Sequence, residues 1–297
     1  MKTSTRQASF KEILKSGEFI VTSEIGPPKG TNIEKMIHHI ELLKDKVHGL
    51  NVTDNQSSVM RLSSLAACHI IKEHGGEPIL QMTCRDRNRM ALQSDLISAH
   101  VLGIHNVLCL TGDHIYLGDH KGSKQVFDMD SVQLISTVKT LEQGKDIGGN
   151  ELDGAVEFCV GATATPEADR MESQLLKFRK KVKAGAEFFQ TQAVYDMNKL
   201  KTFMEYANQF DVKILAGILV LISPAMAKYL NANVAGITVP QELIDEMSGV
   251  EKDKRLQKGI EIAAQQIKQI KEENICSGVH IMAIGKEEIV PEILERV

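Results

Sequence analysis

Short apolar runs rich in β-branched residues alternate along this chain with stretches whose apolar residues recur every three or four positions. The first pattern marks buried strands and the second amphipathic helices, and their strict alternation is the signature of parallel βα units. Strands are expected at Phe19–Ile25, Gly49–Asp54, Pro78–Cys84, Asn106–Gly112, Val156–Gly161, Phe188–Ala193, Lys213–Val220 and Val279–Ile284. After the first, Ile33, Met36, Ile37, Ile40 and Leu43 fall on one helical face. Thr165, Pro166 and Glu167 read as an N-cap, a proline at the first helical position and an early acid. That helix sets Met171, Leu175, Phe178 and Val182 on one side and stops at Gly185. Eight such units predict a closed (β/α)8 TIM barrel rather than an open sheet, because closure leaves no edge strand. The segment Pro240–Glu273 is read as an extra helical insertion before the last strand, and no linker divides residues 1–297 into separate domains.

Composition narrows the class. With 297 residues and 42% hydrophobic content the chain can bury one large core, and a net charge of −4 provides no global attraction to nucleic acid or an acidic membrane. The opening residues Met1 to Lys15 are polar and mixed, so no secretory signal is expected. The longest apolar run, Ile214 to Ile222, is about half of the ~20 residues that span a bilayer. Five cysteines, odd in number and with no CxxC pair, suit reduced thiols in a cytoplasmic protein. Neither a disulfide framework nor a metal site in this chain is expected.

Chemistry in such a barrel gathers at the C-terminal ends of the strands. Those ends carry Glu24, Thr53, Gln81, Thr83, Asp113 and Gln192. Two carboxylates among neutral hydrogen-bonding groups suit a polar heterocycle and one acid–base step. The set has no His/Cys grouping for a metal, no Ser-His-Asp arrangement and no Schiff-base lysine. Glu24, flanked by buried strand residues, is either a desolvated proton donor or a rim glutamate paired with a lysine. Asp113 follows a glycine that lets backbone approach a flat ligand, although Gly-Asp is also a common turn pair. Alternation puts Gln190 and Gln192 on one face. The basic run Lys177, Arg179, Lys180, Lys181 and Lys183 reads mainly as a solvated helix face from which one or two lysines reach a phosphate. His38 and His39 read as surface residues. The stretch His114–Asp128 is too long for a simple connection and is expected to be a lid. Gly144–Gly154 is expected to be a solvated loop on the inert face.

Taken together, Ser23-Glu24 with Pro27-Pro28, Asn51-Val52-Thr53, Met82-Thr83-Cys84, Gly112-Asp113, Arg179 through Ala186, Thr191-Gln192 and Gly217-Ile218-Leu219 resemble the methylenetetrahydrofolate reductase family, from about Phe19 to Glu288. The resemblance implies a flavin on the C-terminal face, reduced first by NAD(P)H or ferredoxin and then reoxidised by methylenetetrahydrofolate in a ping-pong cycle. It implies that Glu24 is the general acid opening the folate ring, that Asp113 orients folate and stabilises the cation, and that Gln192 binds the pterin. Flavin contacts are implied at Thr53, Gln81, Thr111, Gly112, Asp113, Gly161, Ala162, Thr165, Gln174, Lys177, Lys180 and Lys181, with Lys181 at the phosphate. Many relatives carry arginine at the Thr111 position and an aromatic-Pro-Glu where Gly161-Ala162-Thr163 stands here, so FMN and FAD both stay open. The pattern is similar to flavoprotein subunits of acetogenic bacteria, which implies an oligomer and a zinc-containing partner subunit. Two rival readings are an electron-transfer subunit that needs such a partner for folate chemistry, and a flavin-free pterin-binding barrel transferase or aldolase.

Overall fold

The computed structural model describes residues 8–297, so part of the polar opening, residues 1–7, lies outside the described residues. Eight parallel strands close into a barrel in sequence order: β1 (Ile20–Ile25), β2 (Gly49–Val52), β3 (Pro78–Thr83), β4 (Asn106–Leu110), β5 (Cys159–Ala164), β6 (Phe188–Ala193), β7 (Lys213–Leu219) and β8 (Gly278–Met282). The helices are α1 (Phe10–Ser16), α2 (Glu34–Leu43), α3 (Ser64–Glu73), α4 (Arg89–Val101), α5 (Ser131–Glu142), α6 (Met171–Ala184), α7 (Met197–Ala207), α8 (Pro224–Asn233), α9 (Gln241–Ser248), α10 (Arg255–Glu272) and α11 (Val290–Glu295). The expected extra helical material before β8 is present. It begins earlier than Pro240, with α8 capped by Ser223 and started by Pro224. Among the described residues, no helix is long and apolar enough to cross a membrane.

Strand alternation sorts the side chains into two cores. Leu50, Val52, Leu80, Met82, Val107, Cys109, Val160, Ala162, Phe189, Ile214, Ala216, Ile218, Val279 and Ile281 point outward, into the layer between sheet and helices. Ile20, Ile79, Leu108, Cys159, Phe188 and Leu215 point inward and fill the floor of the barrel together with Phe10 and Leu14 of α1. The N-terminal helix therefore plugs the N-terminal end of the strands and leaves the opposite end open. All five cysteines are free and buried; burial pushes the Cys84 thiol up to about 12, which removes it as a nucleophile.

Two local expectations fail together. The fifth strand runs Cys159–Ala164, three residues later than Val156–Gly161, and α6 starts at Met171 rather than just after Thr165. Pro166 and Glu167 instead form the turn leaving β5. Glu167 is buried because its carboxylate accepts from the backbone N–H groups of Tyr195 (2.7 Å), Asp196 (2.7 Å) and Thr238 (3.0 Å). It staples three loops of the open end rather than starting a helix. The face of α6 is as expected: Phe178 is buried, while Met171, Leu175 and Val182 pack on the core. Gly185 closes the helix at φ 112°.

Candidate active site

At the open end a cavity of about 370 Å3 is lined by Glu24, Gln81, Thr83, Arg85, Thr111, Gly112, Asp113, Thr163, Thr165, Lys181, Gln190, Gln192 and His280, among others. That volume lies within the ~300–1,000 Å3 of small-molecule sites. Nine of the residues expected at the site (Glu24, Gln81, Thr83, Thr111, Gly112, Asp113, Thr165, Lys181 and Gln192) thus meet in one cavity.

Glu24 is buried in the inward-facing row of β1. Gln81 Nε2 donates to Glu24 Oε1 at 3.4 Å, and His280 Nε2 lies 3.6 Å from the same oxygen. No lysine salt-bridges it, so the rim ion pair, the plainer of the two sequence readings, is not formed among the described residues. Asp113 is exposed and lies beyond the end of β4, where Gly112 takes φ 96°. A Cβ on Gly112 would come 3.0 Å from Thr83 Cβ and 3.1 Å from Arg85 Cβ, so glycine is required for this close approach of the β4 and β3 ends. The Asp113 carbonyl accepts from the Ser58 hydroxyl at 3.3 Å, which ties the β2–α3 and β4–α5 loops together.

Gln192 owes its place to an irregularity. Across β6 and β7, Gln190 pairs with Leu215 but Ala193 pairs with Gly217, so β6 carries one extra residue. A bulge of this kind re-aims side chains beside active sites. Gln190 and Gln192 both line the cavity, Gln190 deeper.

Other expected contacts fall elsewhere. With β5 shifted, Gly161 lies deep inside the barrel, where a Cβ would come 2.2 Å from the Phe188 ring. Ala162 points outward into the helix layer. Neither lines the cavity. The strand instead ends at Ala164, followed by Thr165 at the cavity wall. Thr53 is buried on the far side of Glu24, in a second cavity of about 270 Å3, and its hydroxyl has no hydrogen-bond partner among the described residues. On α6, Lys177 and Lys180 are exposed and Gln174 is half-buried, all three outside the cavity lining. Lys181 alone turns inward, donating to the Thr163 carbonyl at 2.7 Å. Burial, reinforced by repulsion from Lys177, holds its ammonium down to about 8.

Three features escaped the sequence reading. Arg85 is fully buried at the cavity wall, held in a fork by Asp86 at 2.7 and 2.8 Å. Asp54 accepts from the Thr83 backbone N–H (2.8 Å) and hydroxyl (2.9 Å) and pairs with Arg87, locking the β2 and β3 ends. His39, expected at the surface, is buried between two carboxylates: Nδ1 lies 3.2 Å from Glu287 and Nε2 3.6 Å from Glu288. The carboxylates come from the chain's other end, so local spacing could not reveal them. The three groups lie close enough to suggest a metal, but the glutamates face opposite ring nitrogens, so the imidazole bridges the two carboxylates. The loop His114–Asp128 follows β4 and is tied by Lys29–Asp119 and by Arg89 to Asp128 at 2.9 Å, but none of its residues is among those that line the cavity. Gly144–Gly154 is a turn between α5 and β5, at the end away from the cavity.

Comparison with known proteins places the chain in a family. The family model described as methylenetetrahydrofolate reductase matches residues 9–297. The 5,10-methylenetetrahydrofolate reductase of Pectobacterium carotovorum subsp. carotovorum is 25% identical over 283 residues, 92% of this chain and 88% of that protein. Methylenetetrahydrofolate reductase 1 of Schizosaccharomyces pombe is 22% identical, and the chain spans only about 45% of its length. Among solved structures, an uncharacterized protein from Clostridium thermocellum that binds two copies of 5-methyl-5,6,7,8-tetrahydrofolic acid has a TM-score of 0.63 at 19% identity, covering 96% of both chains. At that identity the likeness speaks for the barrel alone. From the strand-end residues gathered in one cavity and a family match across nearly its whole length, the chain belongs to the methylenetetrahydrofolate reductase family.

Proposed function

We propose that this chain reduces 5,10-methylenetetrahydrofolate to 5-methyltetrahydrofolate with a bound flavin, Glu24 acting as the general acid. The observation that carries the reading is Glu24 itself: a buried carboxyl without a lysine partner among the described residues, on the wall of a cavity shared with Asp113. The folate named with the Clostridium thermocellum protein supports the substrate class.

The residues present fit a flavin. A tricyclic ring asks for neutral hydrogen-bonding groups at its edge and for bare backbone against its face; Gln81, Thr83, Thr111 and Thr165 supply the first and Gly112 the second. Lys181 is the cation placed to meet a phosphate, exchanging the Thr163 carbonyl for it. When bound and reduced, the flavin supplies the hydride; NAD(P)H or ferredoxin, directly or through a zinc-containing partner subunit, would recharge it.

The chain's own residues handle the proton and the charge. Glu24 gives its proton to N10 of the folate as the bond from N10 to the bridging carbon breaks, the electron pair staying on N10. The positive charge left over N5 and that carbon is stabilised by the Asp113 carboxylate. One hydride on carbon and one proton on nitrogen complete the reduction. Gln192 holds the pterin by hydrogen bonds.

Absorbance of the purified protein and the mass of its released cofactor test the flavin directly. Glu24→Gln should bind flavin and accept electrons from dithionite as the wild type does, yet reoxidise with methylenetetrahydrofolate about 10²–10⁴-fold more slowly. Unchanged reoxidation in that variant would remove Glu24 from the mechanism, and a colourless protein would remove the flavin.

A further inference from the structure

The interior of a barrel of this type is ordinarily filled by layers of bulky branched side chains. Here only the floor obeys that rule. Directly above it, Thr22, Asn51, Gln190 and His280 form a polar layer, each of the four at most 3% exposed. Polar groups without water cost free energy unless they are mutually satisfied. These are. Asn51 Nδ2 donates to Gln190 Oε1 at 2.7 Å, and Gln190 Nε2 donates to Asn51 Oδ1 at 2.9 Å and to Thr22 Oγ1 at 3.1 Å. Thr22 Oγ1 lies 2.9 Å from His280 Nδ1. The chain ends at His280 Nε2, 3.6 Å from Glu24 Oε1.

Counting protons gives the chain a direction. Both hydrogens of the Gln190 amide are engaged, one on Asn51 and one on Thr22. Thr22 Oγ1 is therefore an acceptor toward Gln190, and its own hydrogen goes to Nδ1 of His280, the nearer of the two acceptors it faces; the Val279 carbonyl stands at 3.5 Å. A neutral imidazole that accepts at Nδ1 carries its proton on Nε2. That proton faces Glu24.

We propose that His280 is a positioning residue for Glu24, its Nε2–H holding Oε1 so that the acid proton sits on Oε2. Gln81 Nε2 aims at the same Oε1. Two donors converging on one oxygen keep it an acceptor, and the transferable proton is left to the other oxygen. The gap of 3.6 Å is longer than a hydrogen bond, as catalytic contacts are before substrate is bound. The polar layer buried under the site is thus the anchor of the acid, tied back through Thr22 to the Asn51–Gln190 amide pair. The proposal rests on the folate-reducing function above.

The test uses the full chain with its flavin, reduced anaerobically by dithionite and mixed with methylenetetrahydrofolate while flavin absorbance is followed. His280→Leu removes the donor and should slow reoxidation about 100-fold, with reduction by dithionite and folate affinity unchanged. His280→Gln restores an N–H and should recover most of the rate. Thr22→Val strips the partner of Nδ1 and should cost about tenfold. Independently of turnover, 15N NMR of the resting protein should show His280 protonated on Nε2. A proton on Nδ1, reoxidation of His280→Leu at the wild-type rate, or a His280→Gln rate no better than that of His280→Leu would overturn the proposal. A wild-type protein whose reduced flavin ignores methylenetetrahydrofolate would instead sink the proposed reaction, and the role of His280 in it, whatever the tautomer.

Discussion

A lysine buried at a cavity wall is held at a cost, because the charged form loses water that one carbonyl cannot replace. Lys181 is in that position, with its ammonium brought down to about 8. The sign follows from linkage. A base depressed in the folded state contributes stability that is complete above its unfolded value and is lost as pH falls through about 8. A phosphate beside it reverses the balance by favouring the cation. The 13C or 15N titration of the Lys181 side chain should therefore move up when flavin is added, and Lys181→Met should weaken flavin binding while leaving stability near pH 7 unchanged or higher. A titration indifferent to flavin would place the phosphate elsewhere. The other lysines of the run point to solvent, and composition alone could not single out the one that turns inward. Glu24, Asp113 and Gln192 were legible because they stand at strand ends, where the fold puts chemistry. His280 was legible in principle, as the polar residue of Val279-His280-Ile281-Met282. Its apolar neighbours made the segment read as an ordinary strand.

At the scale of elements, strands and helices announced themselves by period, and boundaries failed where tertiary contacts override local signals. The Thr165-Pro166-Glu167 motif has every mark of a helix start, yet Glu167 is recruited by three backbone N–H groups from other loops, and the helix begins only at Met171. The junction of α2 with the turn after β8 is another such contact. His39 on α2 meets Glu287 and Glu288 across nearly the whole sequence, and the backbone at the turn is bent enough that Ile284, a β-branched residue, takes φ 33°. Burial lowers the His39 imidazole below its ordinary value despite the attraction of Glu287. A depressed base loses its stabilising contribution as pH falls, so the protein should lose stability from about pH 6.5 downward. Melting curves between pH 7.5 and pH 5 would show it, and His39→Gln should flatten that part of the dependence. An equal slope in the variant would assign the acid sensitivity to other groups.

The whole molecule divides its labour along the barrel axis. At one end, loops carry carboxylates, amides and a buried arginine around a cavity; at the other, α1 folds under the strands and seals them with apolar side chains. Between the two lies the polar layer that ties Glu24 to the amide pair below. That division explains why the fold was readable from periodicity while the layer was not: inward-facing rows reveal their partners only once the barrel closes and sets β1, β2, β6 and β8 around a common interior. It also makes a separation testable. Phe10 is fully buried and meets Phe188 edge-on, with ring centroids 5.3 Å apart. Phe10→Ala leaves a cavity in the floor and should cost about 3–5 kcal/mol of stability, read as a lower urea midpoint. Because neither Phe10 nor Phe188 is among the residues that line the cavity, the folded variant should reoxidise with methylenetetrahydrofolate at the wild-type rate and keep His280 protonated on Nε2. If rate and stability instead fall together, the polar layer transmits packing from floor to mouth, and the two ends of the barrel are not energetically independent.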